Sequence, residues 1–200
     1  MIVRQIAKLA KRNFKIVCVE PLPINLEALK FNTSALPNVD SVEIYPYALG
    51  DENSELEIFS EKANLGNTSL VQMDGKSVIR TLISQASTLD FIDKYLLDDS
   101  RVIIKCDTQG YESKILSQLP KKFWNRIECG VIEIRSIPML NEKYLELILI
   151  SLSDFSYMYW GGDFLKNRLT ILEVKEFWLS GINEERDLFF SRQIMQENPK

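Results

Sequence analysis

An α/β fold is what this 200-residue sequence predicts, and three observations carry the prediction. Two short apolar, β-branched runs end in acids, Lys15–Glu20 and Val102–Asp107. Such continuous runs suit strands buried on both faces of a parallel sheet. Segments with leucines at helical spacing lie between the strand-like runs. A set of alternating aromatics near the C-terminus suits an antiparallel pair.

The elements follow in order. The first 19 residues are basic (Arg4, Lys8, Lys11, Arg12, Lys15) and hold no acid, and Ile2, Ile6, Leu9 and Ala10 fall near one face of an amphipathic helix. After the Lys15–Glu20 strand, Pro21 and Pro23 punctuate a turn, and a Pro in the first helical turn costs no hydrogen bond. Leu22, Leu26 and Leu29 then mark a helix that fades near Asn32–Ser34. Val42–Leu49 reads as a strand, Gly50–Ser54 as a turn and Glu55–Phe59 as its half-exposed antiparallel partner. Glu61–Lys76 is a polar loop with Gly66-Asn67-Thr68-Ser69 at its centre; loops this long are often functional. A helix over Thr88–Leu97 leads to the Val102–Asp107 strand, and Ile115, Leu116 and Leu119 mark the helix after it. Ile127–Ile134 is a further strand and Leu140–Leu152 a further helix. Phe155, Tyr157 and Tyr159 alternate, Gly161-Gly162-Asp163 turns, and Leu169–Val174 returns as the second strand of a hairpin. The chain thus divides into a domain over residues 1–183 and a charged C-terminal helix or tail over 184–200, with Leu188 and Phe189 as docking residues.

Composition narrows the function. A net charge of −4 offers no basic face for nucleic acid. No apolar run approaches the ~20 residues that span a bilayer. Cys18, Cys106 and Cys129 match no metal spacing, and their odd number argues against a disulfide framework, so buried free thiols in a reducing, cytoplasmic compartment are expected. Histidine is absent, so a general base must come from Asp, Glu, Lys, Tyr or Cys.

The most informative segment is Lys105-Cys106-Asp107-Thr108-Gln109-Gly110-Tyr111-Glu112. A buried strand, a carboxylate, a Gly turn and a helix put Asp107 at the carboxyl end of its strand, where open α/β sheets bind ligands. An Asp capping the next helix is the plainer alternative. Together with Val19-Glu20-Pro21 and Ala48-Leu49-Gly50-Asp51, in this order and spacing, the octet resembles the FkbM family of S-adenosylmethionine-dependent methyltransferases, from about Ile16 to Arg135.

The resemblance implies a Rossmann-like methyltransferase sheet, mostly parallel, and a set of roles. Glu20, with Pro21 beside it, would accept hydrogen bonds from the cofactor's ribose. Ala48 and Leu49 would border the adenine, and Asp107 would face the methionine end. Asn67, Ser69 and Glu133 would serve the acceptor, a hydroxyl on a sugar or other small molecule. Asp107 is the first candidate for orienting the acceptor or taking its proton, with Glu112 and Glu133 behind it; no metal is implied. For Glu112, a first-turn carboxylate favourable to the helix dipole by ~0.3–1 kcal/mol is an equal reading. The chain departs from the family in one respect: no Gly-x-Gly or Asp-x-Gly precedes Glu20, so a strand and Gly-rich loop expected at the middle of the sheet have no counterpart. The chain therefore reads as N-terminally truncated, or as a degenerate member, and as inactive or weakened on its own. A non-catalytic interaction module, with self-association or a partner at the open sheet edge, is the alternative.

Overall fold

The structure is a computed structural model and describes residues 14–34, 36–37, 39–61, 64–69, 78–95, 99–136, 142–161, 167–182 and 184–193. The expected N-terminal helix, most of the Gly66–Lys76 stretch beyond Ser69 and the last seven residues lie outside these. The described part is a mixed α/β structure with three hydrogen-bonded sheets.

The first is a parallel pair, β1 (Phe14–Val19) and β2 (Val39–Tyr45), joined by α1 (Pro23–Thr33). Pro23 sits in the first turn of α1, as its missing N–H allows. The Glu20 N–H continues the pairing by donating to the Tyr45 carbonyl at 3.1 Å.

The second sheet contains β3 (Ala48–Gly50), β4 (Ser54–Glu61), β5 (Asn64–Ser69) and β6 (Val78–Ser87), in the order β3-β6-β4-β5. It corrects three expectations. Val42–Leu49 is not one strand: regular pairing of β2 ends at Tyr45, Pro46 follows, and β3 joins a different sheet. The partner of β4 is β6, not the segment before the turn. And the part of the polar segment holding Asn67 and Ser69 is a strand, with Ser69 opposite Phe59 and Thr68 opposite Ser60. β6 escaped the sequence reading because its polarity is inverted. Gln85 and Ser87 point inward with Ile83, whereas Leu82 faces out.

The third sheet runs β7 (Val102–Cys106), β8 (Ile127–Arg135), β10 (Glu185–Ser191), β9 (Tyr157–Trp160). β7 and β8 are parallel, and β10 is antiparallel to both neighbours. The helices α2 (Thr88–Asp93), α3 (Glu112–Leu116), α4 (Lys121–Trp124), α5 (Glu142–Leu152) and α6 (Ile171–Leu179) contribute to the main core. There Leu116, Trp124, Ile148 and Trp178 meet Ile132, Ile134, Leu188 and Phe190 from the sheet. Burying each such side chain contributes ~1.5–3 kcal/mol, so this cluster dominates the described part. Gly130 is required where β8 passes between its neighbours: a Cβ there would lie 2.5 Å from Phe190 Cζ and 2.6 Å from Ile104 Cγ2.

The C-terminal third carries two further corrections. Leu169–Val174 does not return as a strand. Thr170 and Glu173 form a capping box, the Glu173 carboxylate accepting from the Thr170 N–H at 2.7 Å, and open helix α6. The T-x-x-E spacing was the readable signal. The described part of the segment from Glu184 is not a helix or tail. As β10 it lies between β8 and β9, with Leu188 and Phe190 fully buried, so it completes the sheet rather than decorating it.

Among the described residues the sheets are also less parallel than expected: three strand pairings are parallel and four antiparallel. β7 is not buried on both faces either. Ile104 and Cys106 pack on the core, while Ile103 on the other face is 63% exposed. Among the described residues β1 pairs with β2 alone and β7 with β8 alone, so the two acid-tipped strands do not share a sheet. The second core, Leu22 with Ile58 and Ile83, ties the start of α1 to the β3-β6-β4-β5 sheet.

Candidate active site

The end of β7 turns sharply. Gln109 has φ +56° and Gly110 φ +100°, both left-handed. A non-glycine residue rarely adopts that region without compensation. Here the compensation is Glu112. Its carboxylate, 2% exposed, accepts from the Thr108 N–H at 2.5 Å, the Thr108 hydroxyl at 3.0 Å and the Gly110 N–H at 2.9 Å. Burial raises its pKa, opposed by these bonds. Both oxygens are taken by its own loop, so Glu112 acts as a staple that shapes the turn. These bonds give Glu112 a structural task beside the catalytic one that the resemblance implies.

The turn presents Asp107 and Gln109 toward β8. Asp107 is exposed and ion-paired with Lys105. The Gln109 amide donates to Glu133 Oε2 at 2.8 Å and lies 3.3 Å from Asp107 Oδ1, bridging the two carboxylates. Glu133 is half-buried and its pKa is pushed up to about 7, by desolvation first and then by the charges of Asp107, Glu185, Glu112 and Asp187. Asp187 stands directly opposite it on β10. Arg135, two residues along β8, lies 3.2 Å from Glu185 Oε1; the pair is ionic, because the Arg135 Nε–H is not aligned for a hydrogen bond.

A second set of contacts locks this turn to the β3-β6 sheet. The Tyr111 hydroxyl donates to Gln85 Oε1 at 3.0 Å, and Gln85 Nε2 donates to the Glu52 carbonyl at 2.9 Å and to Ser54 Oγ at 3.2 Å. Lys114 donates to the Tyr111 hydroxyl at 2.9 Å and pairs with Asp51 at 3.2 Å. Tyr111 and Asp51 together raise the Lys114 pKa. Gly50 is needed beside Gln85, since a Cβ there would fall 2.3 Å from the Gln85 side chain.

Glu20 ends β1. Its Oε1 accepts the Leu22 N–H at 2.9 Å, and among the described residues its Oε2 makes no hydrogen bond. Leu22 belongs to the cluster on which Ala48 packs, while Leu49 packs on the main core. Glu20 and Pro21 thus adjoin Leu22, on whose cluster Ala48 packs, and Asp51 and Gln85, beside β3, meet the segment after Asp107 through Lys114 and Tyr111. Asp107 and Glu133 come together through Gln109. Asn67 and Ser69 sit on β5, at the far edge of the sheet from β3. The reading of the sequence missed Gln109, Tyr111, Gln85 and Lys114. The first two lay within the octet already singled out, whereas a buried glutamine such as Gln85 leaves no periodic trace.

The three cysteines are free. Cys106 is buried and its thiol is pushed well up by that burial; Cys18 and Cys129 are half-buried and raised by the same cause. Raised thiols are poor nucleophiles. Among the described residues no group of three acids, histidines or cysteines could hold a metal ion, and no helix is long and apolar enough to cross a membrane.

The strand–carboxylate–turn–helix arrangement and its neighbouring β3 region belong to an α/β protein whose candidate site lies at strand ends. Comparison with protein families gives the class: the methyltransferase FkbM domain matches residues 3–159, and the chain belongs to that family. No curated protein and no solved structure gives a match.

Proposed function

We propose that the chain is an S-adenosylmethionine-dependent methyltransferase with a Rossmann-like domain, acting on a hydroxyl of a sugar or other small acceptor. The family match supports methyl transfer. The observation that carries the site is the Gln109-bridged pair of carboxylates, Asp107 and Glu133, at the strand ends.

The residues present suit the cofactor. Glu20 keeps one carboxylate oxygen free of described partners, and an ionised carboxylate is an acceptor that a ribose diol can fill. Ala48 and Leu49, both half-buried, would border the adenine, with Pro21 following Glu20 in the turn. Asp107 and Glu133 supply negative charge suited to a cationic sulfonium. When bound, the cofactor supplies an electrophilic methyl group. The protein's own tasks are to align the acceptor and to take its proton. Asp107, with its charge already met by Lys105, suits orientation; Asn67 and Ser69 are assigned to the acceptor side.

Calorimetry with S-adenosylhomocysteine tests this. The protein is expected to bind it, and Glu20→Gln to weaken binding about 10- to 100-fold, the loss of hydrogen bonds to a charged acceptor at ~1.5–3 kcal/mol. Absence of binding by the unaltered protein, or an unchanged affinity in Glu20→Gln, would overturn the assignment.

A further inference from the structure

The geometry points to Glu133 as the proton-accepting carboxylate of the site, electrostatically coupled to Asp107, with Gln109, which bridges the two, as its positioning residue. This rests on the methyl-transfer reading above for its use, and on the local structure for its existence.

Three observations carry it. First, the Gln109 side chain meets two carboxylates, Glu133 Oε2 at 2.8 Å and Asp107 Oδ1 at 3.3 Å, with the same nitrogen. Ionised carboxylates only accept, so the amide must present its NH₂ to them, and its orientation is fixed by its partners. Second, the backbone pays for this placement: Gln109 holds φ +56°, a region glycine would occupy without penalty, and Glu112 clamps the residues on both sides of it. A surface glutamine with no task does not require such a conformation. Third, the charges around Glu133 are mostly of one sign. Asp107 faces it from the end of β7, Glu112 from α3, and Asp187 and Glu185 from β10; the cations nearby, Lys105 and Arg135, are engaged by Asp107 and Glu185. Burial and this crowding of like charges disfavour the ionised form of Glu133, while the Gln109 N–H favours it.

In the proposed reaction Glu133 is the proton sink. The acceptor's O–H bond breaks, its proton passes to the ionised Glu133 carboxylate and from there to solvent, and an O–CH₃ bond forms as the donor sulfur leaves as a thioether. Glu133, which burial and its neighbours bring to about 7, is matched to that task at neutral pH.

The test is a pH titration of the full chain with ¹³C-labelled side-chain carboxyls, followed by NMR. One glutamate signal is expected to titrate near pH 7 and to vanish in Glu133→Gln, which assigns it. Asp107→Asn removes a neighbouring charge, so the midpoint should fall by about one pH unit. Gln109→Gly keeps the left-handed backbone accessible and removes the side chain that carries the amide. An N–H donor favours the ionised form, so its loss should raise the midpoint by about half a unit or more. Opposite shifts in the two variants support the proposal, because a merely structural glutamine would leave the midpoint unmoved in Gln109→Gly. A Glu133 midpoint in the ordinary glutamate range, or no response to Gln109→Gly and Asp107→Asn, overturns it. S-adenosylhomocysteine calorimetry on the same samples separates the two claims: coupled shifts without nucleotide binding uphold the pair and remove the methyl-transfer reading, whereas binding with an ordinary Glu133 removes the pair alone.

Discussion

Replacing Glu112 by Gln changes one atom of a buried side chain and reverses half of its hydrogen-bonding sense. In the native turn the carboxylate accepts three bonds, from the Thr108 N–H, the Thr108 hydroxyl and the Gly110 N–H. Glutamine retains one acceptor oxygen, which can serve Gly110. Its NH₂ then faces the Thr108 N–H, donor against donor. A hydrogen bond to a charged group contributes ~1.5–3 kcal/mol, and a buried donor left without a partner costs ~1–3 kcal/mol. Relief from burying a charge offsets part of this, since burial raises the Glu112 pKa. The expected net loss is about 2–4 kcal/mol, measured as a shift of the urea midpoint at unchanged slope. If Glu112 acted only as a first-turn acid on the dipole of α3, the loss would be ~0.3–1 kcal/mol. Thr108→Val, which deletes only the hydroxyl bond, serves as the internal scale and should cost about 1 kcal/mol. A Glu112→Gln protein within 1 kcal/mol of the native one would refute the staple.

Two further outcomes follow from the packing and the charges. Gly130→Ala places a Cβ 2.8 Å from the Ile104 carbonyl and into the Phe190 ring, where backbone cannot yield, and should cost about 1–3 kcal/mol in chemical denaturation. Glu133→Gln should be more stable than the native chain at pH 8 and equal to it at pH 4. The folded-state pKa is raised to about 7, so the folded chain binds more protons than the unfolded one between roughly pH 4.5 and 7, and native stability falls across that window as pH rises. Full burial would make the effect roughly 3 kcal/mol; Glu133 is half-buried, so screening leaves about 1–2 kcal/mol. Thermal melts at the two pH values check this, and a pH-independent difference would contradict it.

Local sequence determined the elements whose signal is confined to a few neighbouring residues. The apolar runs at Ile16 and Ile103–Ile104, Pro23 opening α1, the leucine spacing of α5 and the carboxylate–Gly turn after β7 all came from such short patterns. The family was legible for the same reason, since its motifs are contiguous. Tertiary structure alone decided what depends on partners distant in the chain. β4 could pair with either flank, and the choice of β6 rests on burying Ile83 and Gln85 together. Glu185–Ser191 looks charged from its first three residues, and only its insertion between β8 and β9 explains why Leu188 and Phe190 are inside. The site divides along the same line. Asp107 was visible because it ends a strand, but its partnership with Glu133, 26 positions on, exists only because β7 and β8 lie side by side and Gln109 reaches across. A one-dimensional pattern records which residues alternate; it does not record which strand a given edge will meet.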